Sequence, residues 1–137
     1  VLLHCISSYP APIDQANIKQ IPNLAKRLKV ITGLSDHTLG TTASVAAVAL
    51  GASLIEKHFT LDKKMKGPDH ASSLNFTEFK KFVKAIRNTE KILGSYKKKC
   101  LNEERHMKFV STKSFAVGKN LKIGDKITLK NLKLLRH

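Results

Sequence analysis

Cysteine is scarce in this 137-residue chain: Cys5 and Cys100 stand alone, with no Cys-x-x-Cys pair. Two isolated cysteines exclude a disulfide framework, and a reducing, cytoplasmic setting is the simpler reading. Cys5, inside the apolar run Val1 to Ile6, is expected to be a small buried thiol rather than a nucleophile. Tryptophan is absent and aromatics make up 6% of residues, so the basic stretches have no aromatic interleaving on which bases would stack, and no zinc-finger spacing occurs. The longest uncharged stretch near the middle, Thr38 to Ile55, is broken by Gly, Thr and Ser. A bilayer span needs about 20 predominantly apolar residues, which excludes a transmembrane helix here, and no signal peptide is visible. The chain starts at Val1 without an initiator Met and stops at His137 without a terminating element, so it reads as a piece of a longer protein.

Acidic residues are also few, ten against 25 Lys plus Arg, for a formal net charge of +15. Such an excess raises nucleic acid or an anionic surface as a partner. The distribution argues otherwise, because residues 1–60 carry 5 basic and 3 acidic side chains while residues 61–137 carry 20 and 7. In the second half the lysines come singly or in short runs such as Lys97 to Lys99, the pattern of a solvated lysine-rich surface rather than of a nucleic-acid site. An anionic small substrate remains open on the same residues. Hydrophobic residues at 42% and charged residues at 26% are those of a soluble globular chain, not of a disordered tail or a collagen-like repeat.

Short apolar runs alternate with helical stretches over the first 60 residues, the pattern of an α/β fold with a parallel sheet. Strands are expected over Val1 to Ile6, Val30 to Leu34 and Ser53 to Phe59. A helix lies within Ile18 to Leu28, starting after Pro22, and a second within Thr41 to Leu50, closed by Gly51. After the loop Leu61 to Leu74 comes the clearest helix, with Asn75 as cap, Glu78 in the capping-box position and Gly94 as its stop. Residues 95–110 read as a polar linker. From Ser114 on, the short segments Ser114 to Val117, Leu121 to Gly124 and Ile127 to Leu135 suggest the start of a small β-rich domain. Periodicity does not separate a barrel from an open doubly wound sheet, since both repeat strand and helix in this way.

Reactive residues of parallel α/β folds gather at the carboxyl ends of the strands. The three ends read Ser7-Ser8-Tyr9-Pro10, Ser35-Asp36-His37-Thr38 and Glu56-Lys57-His58. His37 and His58 are 21 residues apart, one strand-helix-strand repeat. Neighbouring strands lie about 4.8 Å apart, so the two imidazoles can face one ion. Alternation puts Leu54, Glu56 and His58 on one face of the third strand and Ile55, Lys57 and Phe59 on the other. An acid and an imidazole sharing a face suit a metal or proton-transfer site, but two ligands do not define a metal site, and a lone strand-end histidine is more often a rim residue. Ser35 with Thr38, near a helix amino terminus, suits phosphate binding as well as it suits helix capping. Asp69 suits an ordinary turn, Tyr9 suits packing, and His4, His70, His106 and His137 have no evident partner.

Four ordered strings narrow this further: Leu2 to Pro12 (LLHCISSYPAP), Gly33 to Gly40 (GLSDHTLG), Ala47 to Asp62 (AVALGASLIEKHFTLD) and Gly67 to Leu74 (GPDHASSL). They resemble the sialic acid synthase family, bacterial enzymes that make nonulosonic acids. The resemblance implies the last three strands of a (β/α)8 barrel over residues 1–94, a linker over 95–110, and from residue 111 to 137 the start of an antifreeze-like domain. It implies condensation of phosphoenolpyruvate with an N-acylated hexose of the N-acetylmannosamine type, with release of phosphate and use of a divalent ion, manganese or magnesium. By resemblance His37 and His58 are the metal ligands, Ser35 and Ser7 contact phosphoenolpyruvate, and Tyr9 and Asp69 contact the sugar. Arg136 is the arginine that reaches the sugar in the other subunit, which implies a domain-swapped homodimer. Glu56, Asp36 or a water serves the proton transfers, with no choice among them. The sequence departs from the family at Ser7, where Asn is frequent, at Phe76, where Pro is frequent, at Thr112-Lys113-Ser114, and after Arg136, where His137 replaces Pro-Gly. The sialic, legionaminic and pseudaminic branches all stay open, as does a non-catalytic basic binding module. These 137 residues alone are expected to be inactive.

Overall fold

The computed structural model describes residues 1–136 of the chain; His137 lies outside them. The chain divides into two compact units, one of Val1–Gly94 and one beginning at Ser95.

The first unit is a parallel three-stranded sheet of β1 (Leu2–Cys5), β2 (Thr32–Asp36) and β3 (Leu54–Lys57), in that order. The register sets Cys5 beside Ser35, Ser35 beside Glu56, and Asp36 beside Lys57. Helices α1 (Gln20–Leu28) and α2 (Thr42–Ala49) connect the strands, and α3 (Phe76–Leu93) follows them. The core is small: Ala16, Ile21, Leu34, Ala43 and Ala47, with Ile18, Ala52 and Ile55 packed against it. Leu34 and Ile55 come from the same face of the sheet as His4, Asp36 and Lys57, so this is the helix-covered face. The opposite face carries Leu3 and Cys5 from β1, Gly33 and Ser35 from β2, and Leu54 and Glu56 from β3.

Several boundaries differ from the sequence expectation, each for a physical reason. Helix α1 begins at Gln20, before Pro22, because proline in a first helical turn loses no intrahelical bond. Strand β2 is shifted from Val30–Leu34 to Thr32–Asp36. Lys29 closes α1 in the left-handed conformation at φ 53°, which leaves Val30 and Ile31 as exposed lead-in, while the polar Ser35 and Asp36 are buried and continue the strand. Neither Ser35 nor Thr38 caps α2, whose N-cap is Thr41. Helix α3 has the expected capping box, with Glu78 N–H donating to Asn75 Oδ1 at 3.0 Å and Asn75 N–H donating to Glu78 Oε2 at 2.9 Å.

In the second unit, the stretch read as a polar linker contains α4 (Arg105–Ser111). An antiparallel ribbon follows, β4 (Lys113–Val117) against β5 (Leu132–Arg136). Leu121 to Gly124 is not a strand, and the segment from Ile127 is extended only from Leu132. Asn131 is the buried anchor of this unit: its amide donates to the Lys126 carbonyl at 3.0 Å and accepts from the Thr128 N–H at 2.8 Å.

Candidate functional site

Three rings meet at the carboxyl ends of the strands. Tyr9 follows β1 and stacks on His58, with centroids 4.2 Å apart and planes 23° apart. His37, directly after β2, lies edge-on to both, 5.1 Å from Tyr9 and 5.2 Å from His58. Residues 33, 35 and 37 alternate onto the helix-free face, as do 54, 56 and 58, so the strand pleat itself aims both imidazoles to one side. The first loop is fastened by a bond from Ala11 N–H to the His37 carbonyl at 2.8 Å, and the third by one from Leu74 N–H to the His58 carbonyl at 3.0 Å.

Below the rings, Ser35 donates to Glu56 Oε1 at 2.6 Å. Ser35 is buried, whereas Glu56 is exposed. Asp69 brings Oδ2 to 3.8 Å from His58 Nδ1, with both side chains partly exposed. The loop holding Asp69 is braced through Ser73, whose hydroxyl donates to the Asp69 carbonyl at 2.7 Å. With that proton committed, the 3.3 Å contact between Tyr9 and Ser73 has the tyrosine hydroxyl as donor. His70 pins the same loop through a 2.8 Å bond between Nδ1 and Thr60 Oγ1.

Asp36 does not join this group. It points to the helix-covered face, fully buried, where it accepts from Thr38 N–H at 2.9 Å and Thr38 hydroxyl at 2.8 Å. Ser44 of α2 and the Lys57 ammonium, the latter at 3.1 Å, complete its partners. A carboxylate so enclosed lies on the face of the sheet opposite His37, His58 and Glu56. Cys5 corrects an expectation: the thiol is exposed, 3.8–3.9 Å from the two ring nitrogens of His37. Ser7 is exposed on the bend after β1. Arg136 belongs to the other unit, exposed on β5 opposite Lys113.

The spacing of the two histidine rings is compatible with a shared divalent ion. With metal–nitrogen bonds of about 2.1 Å, two imidazoles ligating side by side have ring centroids roughly 4.6–5.3 Å apart. The observed 5.2 Å falls in that range. Among the described residues no group of three or more His, Cys, Asp or Glu side chains is placed to hold a metal.

Residues 1–98 match the NeuB family. The chain belongs to it. This member is 42% identical over 136 residues to the N,N'-diacetyllegionaminic acid synthase of Legionella pneumophila, aligning over 99% of its own length and 38% of that protein's. It is 43% identical over 136 residues to the pseudaminic acid synthase of Campylobacter jejuni, again over 99% of its own length and 39% of the relative's. Among solved structures, the N-acetylneuraminic acid synthetase of Leptospira borgpetersenii superimposes with a TM-score of 0.68 at 36% identity, over 77% of this chain and 38% of that one. The chain thus spans about two-fifths of the length of these curated relatives.

The residues that sequence reasoning passed over in this NeuB-family chain are Lys57, Ser44, Ser73 and the exposed face of Cys5. Lys57 had a legible signal: a cation on the helix-facing side of β3, in register with an anion on β2. Ser44 and Ser73 had none, because a serine in an alanine-rich helix or a loop becomes informative only when its partner is known.

Proposed function

We propose that this chain is the carboxyl-terminal part of a nonulosonic acid synthase that condenses phosphoenolpyruvate with an N-acylated hexose in its open-chain aldehyde form. The observation that carries the reading is the Tyr9–His37–His58 cluster at three consecutive strand ends, within a segment matching the NeuB family. On this reading β1 to β3 are the last strands of a (β/α)8 barrel. The helix-free face, where Leu54 is 43% exposed, is then the barrel interior. The residues from 111 on begin an antifreeze-like domain.

His37 and His58 hold a divalent ion, manganese or magnesium, which when bound polarises the sugar aldehyde as a Lewis acid. Ser35 and Ser7 contact phosphoenolpyruvate. Tyr9, its ring fixed against His58 and its hydroxyl against Ser73, shapes the sugar side together with Asp69. The methylene carbon of phosphoenolpyruvate bonds to the aldehyde carbon while the aldehyde oxygen takes a proton. Water then adds at the phosphate-bearing carbon, and phosphate leaves by C–O cleavage. Glu56 is the acid–base group this chain supplies, because its exposed carboxylate is on the reacting side and Asp36 is not. Arg136 reaches the sugar of a second subunit in a domain-swapped homodimer.

The test is phosphate release from phosphoenolpyruvate by the full-length protein carrying this chain, with manganese and a panel of N-acetylmannosamine and the legionaminic and pseudaminic precursor hexoses. Release with one sugar, lost in Glu56→Gln and in His37→Ala, is expected and names the branch. Absence of release with every sugar contradicts the reading.

A further inference from the structure

The polar network on the helix-covered face has a geometry that burial alone does not explain. The side chains of Asp36 and Lys57 are 0% and 2% exposed. An ion pair removed from water gives back in attraction roughly what desolvation costs, and apolar residues of similar volume often do as well or better. Two residues earlier on the same face, β2 and β3 carry such apolar residues, Leu34 and Ile55. The pair nevertheless sits immediately before the two histidines, Asp36 before His37 and Lys57 before His58, in direct register across the strands.

Its bonds reach both chain neighbours of His37 and the residue before His58. Asp36 accepts from the backbone and hydroxyl of Thr38, so His37 is flanked by two residues fastened to each other. Lys57 binds Asp36 and also donates to the Thr38 carbonyl, which ties the residue before His58 to the residue after His37. Ser44 anchors the same carboxylate to the first turn of α2. No buried side-chain nitrogen or oxygen among the described residues lacks a partner, so the network is complete. A one-residue slip of a strand displaces its side chains by about 3.3 Å and turns them to the other face. A clamp across the last register position is therefore placed where slack would separate the imidazoles.

We propose that Asp36 and Lys57 are positioning residues that set the separation of His37 and His58 from behind the sheet. The proposal rests on the reading of those histidines as a cation-binding pair. It does not follow from the ion pair's stability, and it assigns Asp36 and Lys57 no contact with substrate.

The test is titration of the full-length protein with manganese, followed through the electron paramagnetic resonance signal of the free ion, with a thermal unfolding curve for each variant. In Asp36→Leu/Lys57→Met, which removes both charges together, a cooperative unfolding transition is retained. Manganese binding weakens about 10- to 100-fold, the range for groups that orient metal ligands. Wild-type affinity in that folded variant, with binding lost in His37→Ala, overturns the proposal and leaves the two-histidine reading standing. Affinity unchanged in both His37→Ala and His58→Ala overturns the two together. Should the double variant fail to fold, Ser44→Ala decides: removing one hydrogen bond from Asp36 weakens binding about threefold or more if the network positions the ligands, and unchanged affinity overturns the proposal.

Discussion

Gly33 illustrates how little freedom single positions have beneath the site. A Cβ there would lie 2.1 Å from the Leu54 carbonyl oxygen and 2.7 Å from Leu3 Cδ2, on the central strand of the sheet. Gly33→Ala in the full-length protein is predicted to lower stability by about 1–3 kcal/mol, the usual range for overpacking, as read from the midpoint of urea unfolding. Tyr9→Phe keeps the ring stack on His58 but removes the donor to Ser73, so a loss of about 0.5–1.5 kcal/mol is expected in the same measurement. At these positions the sequence was partly legible. Alternation placed Glu56 and His58 on one face and Lys57 on the other, as found, because strand pleat is a local property. It did not choose between Glu56, Asp36 and water for proton transfer, and the structure puts Asp36 on the face opposite Glu56. Cys5 was read as buried from its apolar neighbours, yet its thiol is exposed.

Helix α3 depends on its first turn. Asn75→Ala removes the cap to Glu78 N–H and should cost about 1 kcal/mol, measured by thermal or urea unfolding. Glu78 is also held by Lys63 at 2.8 Å. The Lys63 hydrogen bond first, and the Asn75 N–H second, keep the Glu78 carboxyl below its ordinary range. A carboxylate with a lowered folded-state pKa adds stability that is fully present above the ordinary value of about 4.3 and is lost as pH falls through the lowered one. The stability gap between wild type and Glu78→Gln is therefore predicted to be steady near neutral pH and to shrink in that acidic window; a gap independent of pH down to full protonation would contradict it. This helix was legible because cap, box partner and terminal glycine all lie within one continuous segment. Strand β2 was less so. Its apolar lead-in Val30-Ile31 mimics a strand, while its true carboxyl end is polar and buried only because Glu56, Lys57, Thr38 and Ser44 supply partners from elsewhere in the chain.

Parallel sheets are ordinarily covered on both faces, and within the first unit the described helices cover one face of the three strands. The charge of +15 is carried mostly by the second half, whereas the ring cluster and its buried ion pair lie in the first unit. The functional reading thus rests on a few side chains brought together by strand register rather than on net charge. Strand and helix alternation made the α/β class readable, but closure of a barrel depends on pairings beyond these strands, which no local pattern encodes. No helix among the described residues is long and apolar enough to cross a membrane. Anomalous diffraction from manganese-soaked crystals of the full-length protein measures directly whether His37 and His58 share an ion. A single strong peak within bonding distance of both imidazoles, absent in His58→Ala crystals, is the predicted result. A manganese peak elsewhere, or one that persists without His58, would contradict it.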